Sequence, residues 1–172
     1  AARDSTFDVF EFIYSKGKNI QIEDETIKGD TFLQLAVKNG NLKLVEYLIN
    51  KNAKIGTRTK DGRTLLHSAA RGGHLKIVKY LIEKTKTNIE AKTNGEHISV
   101  LHLAAKGGNL EIVEYLINKG ANIESKTNSG FTPLYSAVIS SNFQIIDYLI
   151  GKGANVNTKL YGSDLDDWTI LH

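Results

Sequence analysis

The sequence predicts an all-α solenoid, in which helix-turn-helix units stack side by side and are joined by β-hairpin-like loops. One observation is a recurring text: Leu101-His102-Leu103-Ala104-Ala105-Lys106-Gly107-Gly108 is echoed by Leu66-His67-Ser68-Ala69-Ala70-Arg71-Gly72-Gly73, by a copy starting at Leu33, and by Leu134-Tyr135-Ser136-Ala137. A second is its period, since Ala36, Ala69, Ala104 and Ala137 fall 33, 35 and 33 residues apart, the mark of a stacked array. The third is apolar spacing: Leu101, Ala104 and Ala105 recur as on one helix face, and Leu110, Val113, Leu116 and Ile117 form a second stripe closed by Gly120. Neither short helix can bury its stripe alone, so each needs the neighbouring unit.

Two motifs sharpen this. Gly130-Phe131-Thr132-Pro133-Leu134-Tyr135 and Gly62-Arg63-Thr64-Leu65-Leu66-His67 open their units, and Gly120-Ala121-Asn122 and Gly153-Ala154-Asn155 close them. On these residues the chain resembles the ankyrin-repeat family, with its Gly-x-Thr-Pro-Leu-His opening and Gly-Ala-Asn ending. The resemblance covers nearly the whole chain. It implies the fold and leaves the partner open, because one fold hosts many functions.

The elements follow in order. Residues 1–28 are expected to be a partial repeat, with Phe7, Val9, Phe10 and Ile13 in the places of Leu110, Ile112, Val113 and Leu116, and Ser5 or Thr6 as the helix cap. The first full unit spans 29–61 and ends at Asn52-Ala53, where asparagine replaces glycine and tolerates the left-handed conformation. The second, 62–96, carries one extra residue around Lys84-Thr85-Lys86-Thr87-Asn88 and another around Asn94-Gly95-Glu96-His97. The Asn-Gly pair places a hairpin tip there. The third unit is 97–129. The fourth, 130–166, has Ser140-Ser141 where others have Gly72-Gly73 or Gly107-Gly108, so Ser141 must bear strain or the turn must relax, and this turn is expected to be the least regular. Residues 167–172 restart the motif at Thr169-Ile170-Leu171-His172, and a larger parent protein is expected, since a natural end needs a polar cap.

Composition excludes several classes of function. A formal net charge of +3, with 22 basic residues spread along the chain, argues against a nucleic-acid-binding tail. The absence of cysteine removes disulfides and thiolate metal sites. There is no run of about 18 apolar residues to span a membrane, no secretory leader in Ala1 to Phe12, and no asparagine in an Asn-x-Ser/Thr context. A cytoplasmic location is the simplest reading, or host cytoplasm if the chain belongs to a secreted effector.

Residues that suggest chemistry have plainer roles. His67 and His102 recur once per unit, about 10 Å apart as packed helices are, too far to share a metal at about 2 Å per bond. They are expected to tie neighbouring turns by hydrogen bonds, while His74 and His97 are expected in solvated turns. Asp164, Asp166 and Asp167 lack the spacing of a calcium loop. The Gly-Gly turns have no following Gly-Lys-Ser/Thr, so no phosphate loop is indicated. No serine or threonine has a base-and-orienter pattern, so no catalytic residue and no cofactor is assigned and the chain is not expected to be an enzyme. Tyr47, Tyr80, Tyr115 and Tyr148, with Phe12 in the partial repeat, share one second-helix position and are expected to pack half-buried between outer helices.

The expected function is protein–protein recognition through a concave groove and the hairpin tips. The resemblance places the partner-binding residues at Lys38, Lys60, Arg63, Ser68, Arg71, His97, Leu103, Lys106, Phe131, Ser136 and Ile139. Lys38, Arg71 and Lys106 share the last position of the first helix and make a positive strip suited to an acidic protein surface. The groove then turns apolar at Phe131 and Ile139. Neither nucleic acid nor membrane is an expected partner, and the oligomeric state is left open. Two rival readings are a non-catalytic targeting or scaffold region of a larger enzyme, toxin or bacterial effector, and a purely structural spacer. Sequence beyond Ala1 and His172 separates the first, and groove mutations without effect identify the second.

Overall fold

The computed structural model describes residues 21–25 and 30–157. Eight helices lie among them: α1 (Phe32–Lys38), α2 (Leu42–Asn50), α3 (Leu65–Arg71), α4 (Leu75–Thr85), α5 (Val100–Lys106), α6 (Leu110–Asn118), α7 (Pro133–Ile139) and α8 (Phe143–Gly151). The readings that concern the Phe7–Ile13 helix and its cap, Phe12, the three aspartates and the restarted motif at Thr169 fall outside the described residues.

Each odd-numbered helix starts the same way for one chemical reason. Thr31, Thr64, Ser99 and Thr132 sit in extended backbone, and each hydroxyl accepts the N–H three residues on. Gln34, His67 and His102 return a side-chain bond to the cap's own N–H, which completes a capping box. Tyr135 has no acceptor placed to do so, and Pro133 in the first turn is tolerated because the N–H it lacks has no helical partner there.

Burial follows the predicted stripes. Leu33, Leu66, Leu101 and Leu134 from the first helices, and Leu48, Leu81, Leu116 and Leu149 from the second, are each at most 2% exposed. Small residues line the contact between first helices: Ala36, Ala69, Ala104 and Ala137, joined by Ala70 and Ala105, are all buried. They let α1, α3, α5 and α7 pack more closely than α2, α4, α6 and α8 do. The first-helix side is thereby the narrower one, and the stack is concave there.

The turns report on three sequence expectations. Asn52 adopts φ +65°, so asparagine does replace glycine in the left-handed region. Ser141 does likewise at φ +54°, beside Gly40, Gly73 and Gly108 in the equivalent turns. Its turn keeps the closing bond from the Asn142 N–H to the Ala137 oxygen at 3.0 Å. It is less regular in one respect, because the Ser140 N–H bonds only to Val138, whereas Asn39, Gly72 and Gly107 each reach two carbonyls. The extra residues of the second unit extend α4 to 11 residues, ending at Lys86 with φ +53°. They also extend the exposed finger between Thr93 and Ile98, where Gly95 and His97 are left-handed and the Thr93 N–H bonds the Ile98 oxygen at 3.0 Å.

Candidate functional site

A depression of about 300 Å³ opens on the first-helix side across the second, third and fourth units. Three repeat positions build it. Arg63, Ile98 and Phe131 stand just before the capping residues, Leu103 and Ser136 come from the middle of the first helices, and Arg71, Lys106 and Ile139 end them. Equivalent positions in successive units thus supply a row that runs from cation to cation to aliphatic side chain.

The cations differ in their freedom. Lys38 is held by Asp30, with Nζ 2.6 Å from the carboxylate, and does not line the depression. The predicted three-residue strip is therefore neutralised at its first member. The signal was visible, since Asp30 occupies the position of Arg63, Ile98 and Phe131, one helix away from Lys38. Arg63 pairs with Asp61 at 2.8 Å. Burial is the largest single influence on the Asp61 carboxyl and pushes it up, but the Thr59 hydroxyl bond, the Arg63 charge and main-chain N–H groups together outweigh it and hold the carboxyl below its usual range. Arg71 and Lys106 are exposed and have no ion-pair partner among the described residues. Glu96 is the single carboxylate on the rim, and one of its oxygens accepts from the Ser129 hydroxyl at 3.0 Å.

The apolar end is held rigidly. The Phe131 and Tyr135 rings stack with centroids 4.3 Å apart and planes 8° from parallel. The Phe131 main chain is fixed on three sides: its N–H bonds Thr127 Oγ1 at 3.1 Å, and its oxygen accepts from the Thr127 N–H at 3.0 Å and from His102 Nε2 at 2.9 Å. Ile139 remains 55% exposed beside them.

Of the other expected contact residues, Ser68 is half-buried and Lys60 and His97 are exposed on the fingers. None of the three lines this depression, although Lys60 borders a neighbouring hollow with Asn94 and Glu96. Sequence reasoning missed Ile98 and Tyr135, which occupy the same repeat positions as Phe131 and His102 and were open to the same argument.

The histidines hold the scaffold under the site. His67 Nε2 reaches the Ile98 oxygen at 3.0 Å, while its Nδ1 takes hydrogen bonds from the Thr64 hydroxyl and N–H. His102 does the same with Ser99 and Phe131. Burial pushes both down to about 4, against the opposing pull of the accepting carbonyl, so both are neutral at pH 7. The expectation for His74 needs correction: it is half-buried, and its Nε2 lies 3.0 Å from the Lys38 oxygen. Asn109 and Asn142 act in the same place one and two units on. They donate to Ala70 at 3.1 Å and to Ala105 at 2.7 Å, with longer contacts to the carbonyls of Arg71 and Lys106 themselves.

The tyrosines lie on the opposite side. Tyr47, Tyr80, Tyr115 and Tyr148 are half-buried against the core, and lysine ammonium groups lie over three of these rings at 5.4 to 5.8 Å. Tyr115 donates to Glu83 at 2.8 Å, and burial with that carboxylate raises its hydroxyl to about 12.

Among the described residues no group of three or more potential ligands is placed to hold a metal, and no helix is long and apolar enough to cross a membrane. A family model described as ankyrin repeats (3 copies) matches residues 1–93 and again 86–159. A search of curated proteins found no match.

Proposed function

Because the chain belongs to the ankyrin-repeat family, whose repeats are generally protein–protein interaction modules, we propose that it binds a partner protein in the depression on its concave side. The partner presents an acidic surface next to an apolar side chain. The observation that carries this reading is the juxtaposition of two unpaired cations, Arg71 and Lys106, with the Phe131–Tyr135 stack and exposed Ile139 in one hollow. Unpaired charge steers encounter, and a desolvated aromatic anchor supplies the residence time. A rigid stack reduces the ordering cost of binding. Lys60 and His97 on the fingers extend the contact beyond the hollow.

Capture of the partner with a lysine-reactive cross-linker, followed by mass spectrometry, tests this. Cross-links are expected at Lys106 and Lys60. The second helices offer Lys43, Lys76, Lys79 and Lys84 as competitors, with Lys119 and Lys152 just past their ends, and cross-links confined to these six contradict the groove reading.

A further inference from the structure

We propose that the occupant of the depression is an extended peptide segment in the polyproline II conformation, with acidic residues at positions i and i+3 and a bulky apolar residue at i+6. The inference rests on the groove reading above and adds the conformation and spacing of what binds there. Arg71, Lys106 and Ile139 end successive first helices, so the row advances by one unit per residue. Packed helices lie about 8–10 Å apart, and the alanine-lined contact between these first helices favours close approach.

Few backbone conformations match that step. A polyproline II helix repeats its face every three residues and rises about 3.1 Å per residue, so one turn covers roughly 9 Å, one unit of the stack. A β-strand presents one face every second residue, at about 6.7 Å or 13 Å, and misses the step on either side. An α-helix matches at i+7, about 10.5 Å, but is about 10 Å wide with its side chains. A hollow of about 300 Å³, walled by the fingers at Glu96 and Ser129, admits side chains and not such a cylinder.

Charge fixes the register. Arg71 and Lys106 are the two unpaired cations of the row, so the two acidic positions meet them and the apolar position meets Ile139 and the Phe131–Tyr135 stack. Lys38, already bound to Asp30, contributes no further acidic position on that side.

Fluorescein-labelled synthetic peptides and fluorescence polarisation with the full chain test this directly. One probe carries Asp at i and i+3 and Phe at i+6, synthesised in both chain directions with Ala elsewhere. Others carry the same three residues at i, i+2, i+4 and at i, i+7, i+14. The three-residue spacing is expected to bind at least tenfold more tightly in one of its two directions. Proline at the intervening positions should strengthen that binding and glycine should weaken it. Arg71→Glu with Lys106→Glu should remove at least tenfold of the affinity while the melting temperature is retained. Equal affinities for all spacings, preference for the seven-residue spacing, or no binding by any probe overturns the inference. If the captured partner still cross-links at Lys106, the groove reading survives that failure. Cross-links confined to the second helices reject both.

Discussion

His102 Nε2 donates to the main-chain oxygen of Phe131 across 2.9 Å, so the residue that completes the capping box of one unit also holds the main chain of Phe131 in the next. The tautomer follows from its other side, where the Ser99 N–H and hydroxyl both point at Nδ1 and leave the proton on Nε2. His67 repeats the arrangement one unit earlier and holds Ile98. A protonated ring has no lone pair for its capping residue, and burial disfavours its charge.

Acid should therefore loosen the stack. Both histidines titrate at about 4 in the fold and near 6.5 when unfolded. Between those values the unfolded chain binds more protons, so stability is fully present above pH 6.5 and falls as pH drops towards 4. Two such groups contribute a loss on the order of a few kcal/mol across that window. Urea unfolding at pH 7.5, 6.0 and 5.0 measures it. Replacing His67 and His102 with Gln, the residue that fills this position at Gln34, should flatten the pH dependence. It should also cost about 1–3 kcal/mol per site at pH 7.5, since the Ile98 and Phe131 oxygens each lose a partner.

Leu116→Ala should destabilise the fold by roughly 2–5 kcal/mol, because Leu116 is fully buried and truncation leaves a cavity. Tyr115→Ala should cost less, since that ring is half-buried and its hydroxyl bond to Glu83 is exposed. Chemical unfolding of the two variants ranks them, and equal losses contradict the assignment of the tyrosines to the outer face.

A gap in a second ladder predicts a stabilising change. Carboxylates of Glu23, Glu90 and Glu124 accept main-chain N–H groups of Lys54, Asn122 and Asn155 in the next unit at 2.8 to 2.9 Å. Gly56 holds the equivalent position opposite Asn88, and the two border one hollow. A Cβ at Gly56 meets no atom within 4 Å, and its backbone is not left-handed. Gly56→Glu should raise stability by about 0.5–1.5 kcal/mol through the restored bond and a less flexible unfolded chain. Thermal unfolding of that variant against Gly56→Ala separates the two contributions.

Local chemistry explains what was legible. Apolar spacing and capping residues act within a few positions, so the eight helices and the leucine core could be read from one unit and carried to the rest. The ankyrin resemblance, rather than spacing, put Arg71, Lys106, Phe131 and Ile139 on one side, and all four line the depression. What escaped was contact between units. The reach of His74 to Lys38 and the asparagine bonds to Ala70 and Ala105 depend on which carbonyl the neighbouring unit presents, whereas the Lys38–Asp30 pair lies within one unit and was open to the sequence. The glutamate ladder was discoverable from Ile22-Glu23, Ile89-Glu90 and Ile123-Glu124, but its acceptor role appears only once units are stacked.

The association rate of the captured partner, followed by stopped flow across a salt series, tests the groove most directly. Arg71→Glu with Lys106→Glu is compared with Lys76→Glu and Lys84→Glu, two exposed second-helix lysines whose reversal changes net charge equally. Only charges near the contact steer encounter, because others are screened beyond about 8 Å at physiological salt. The groove pair should slow association about tenfold or more at low salt and flatten its salt dependence, with the melting temperature nearly unchanged, while the second-helix pair leaves the rate within about twofold. Equal slowing by both pairs, or slowing by the second-helix pair alone, contradicts binding in the groove.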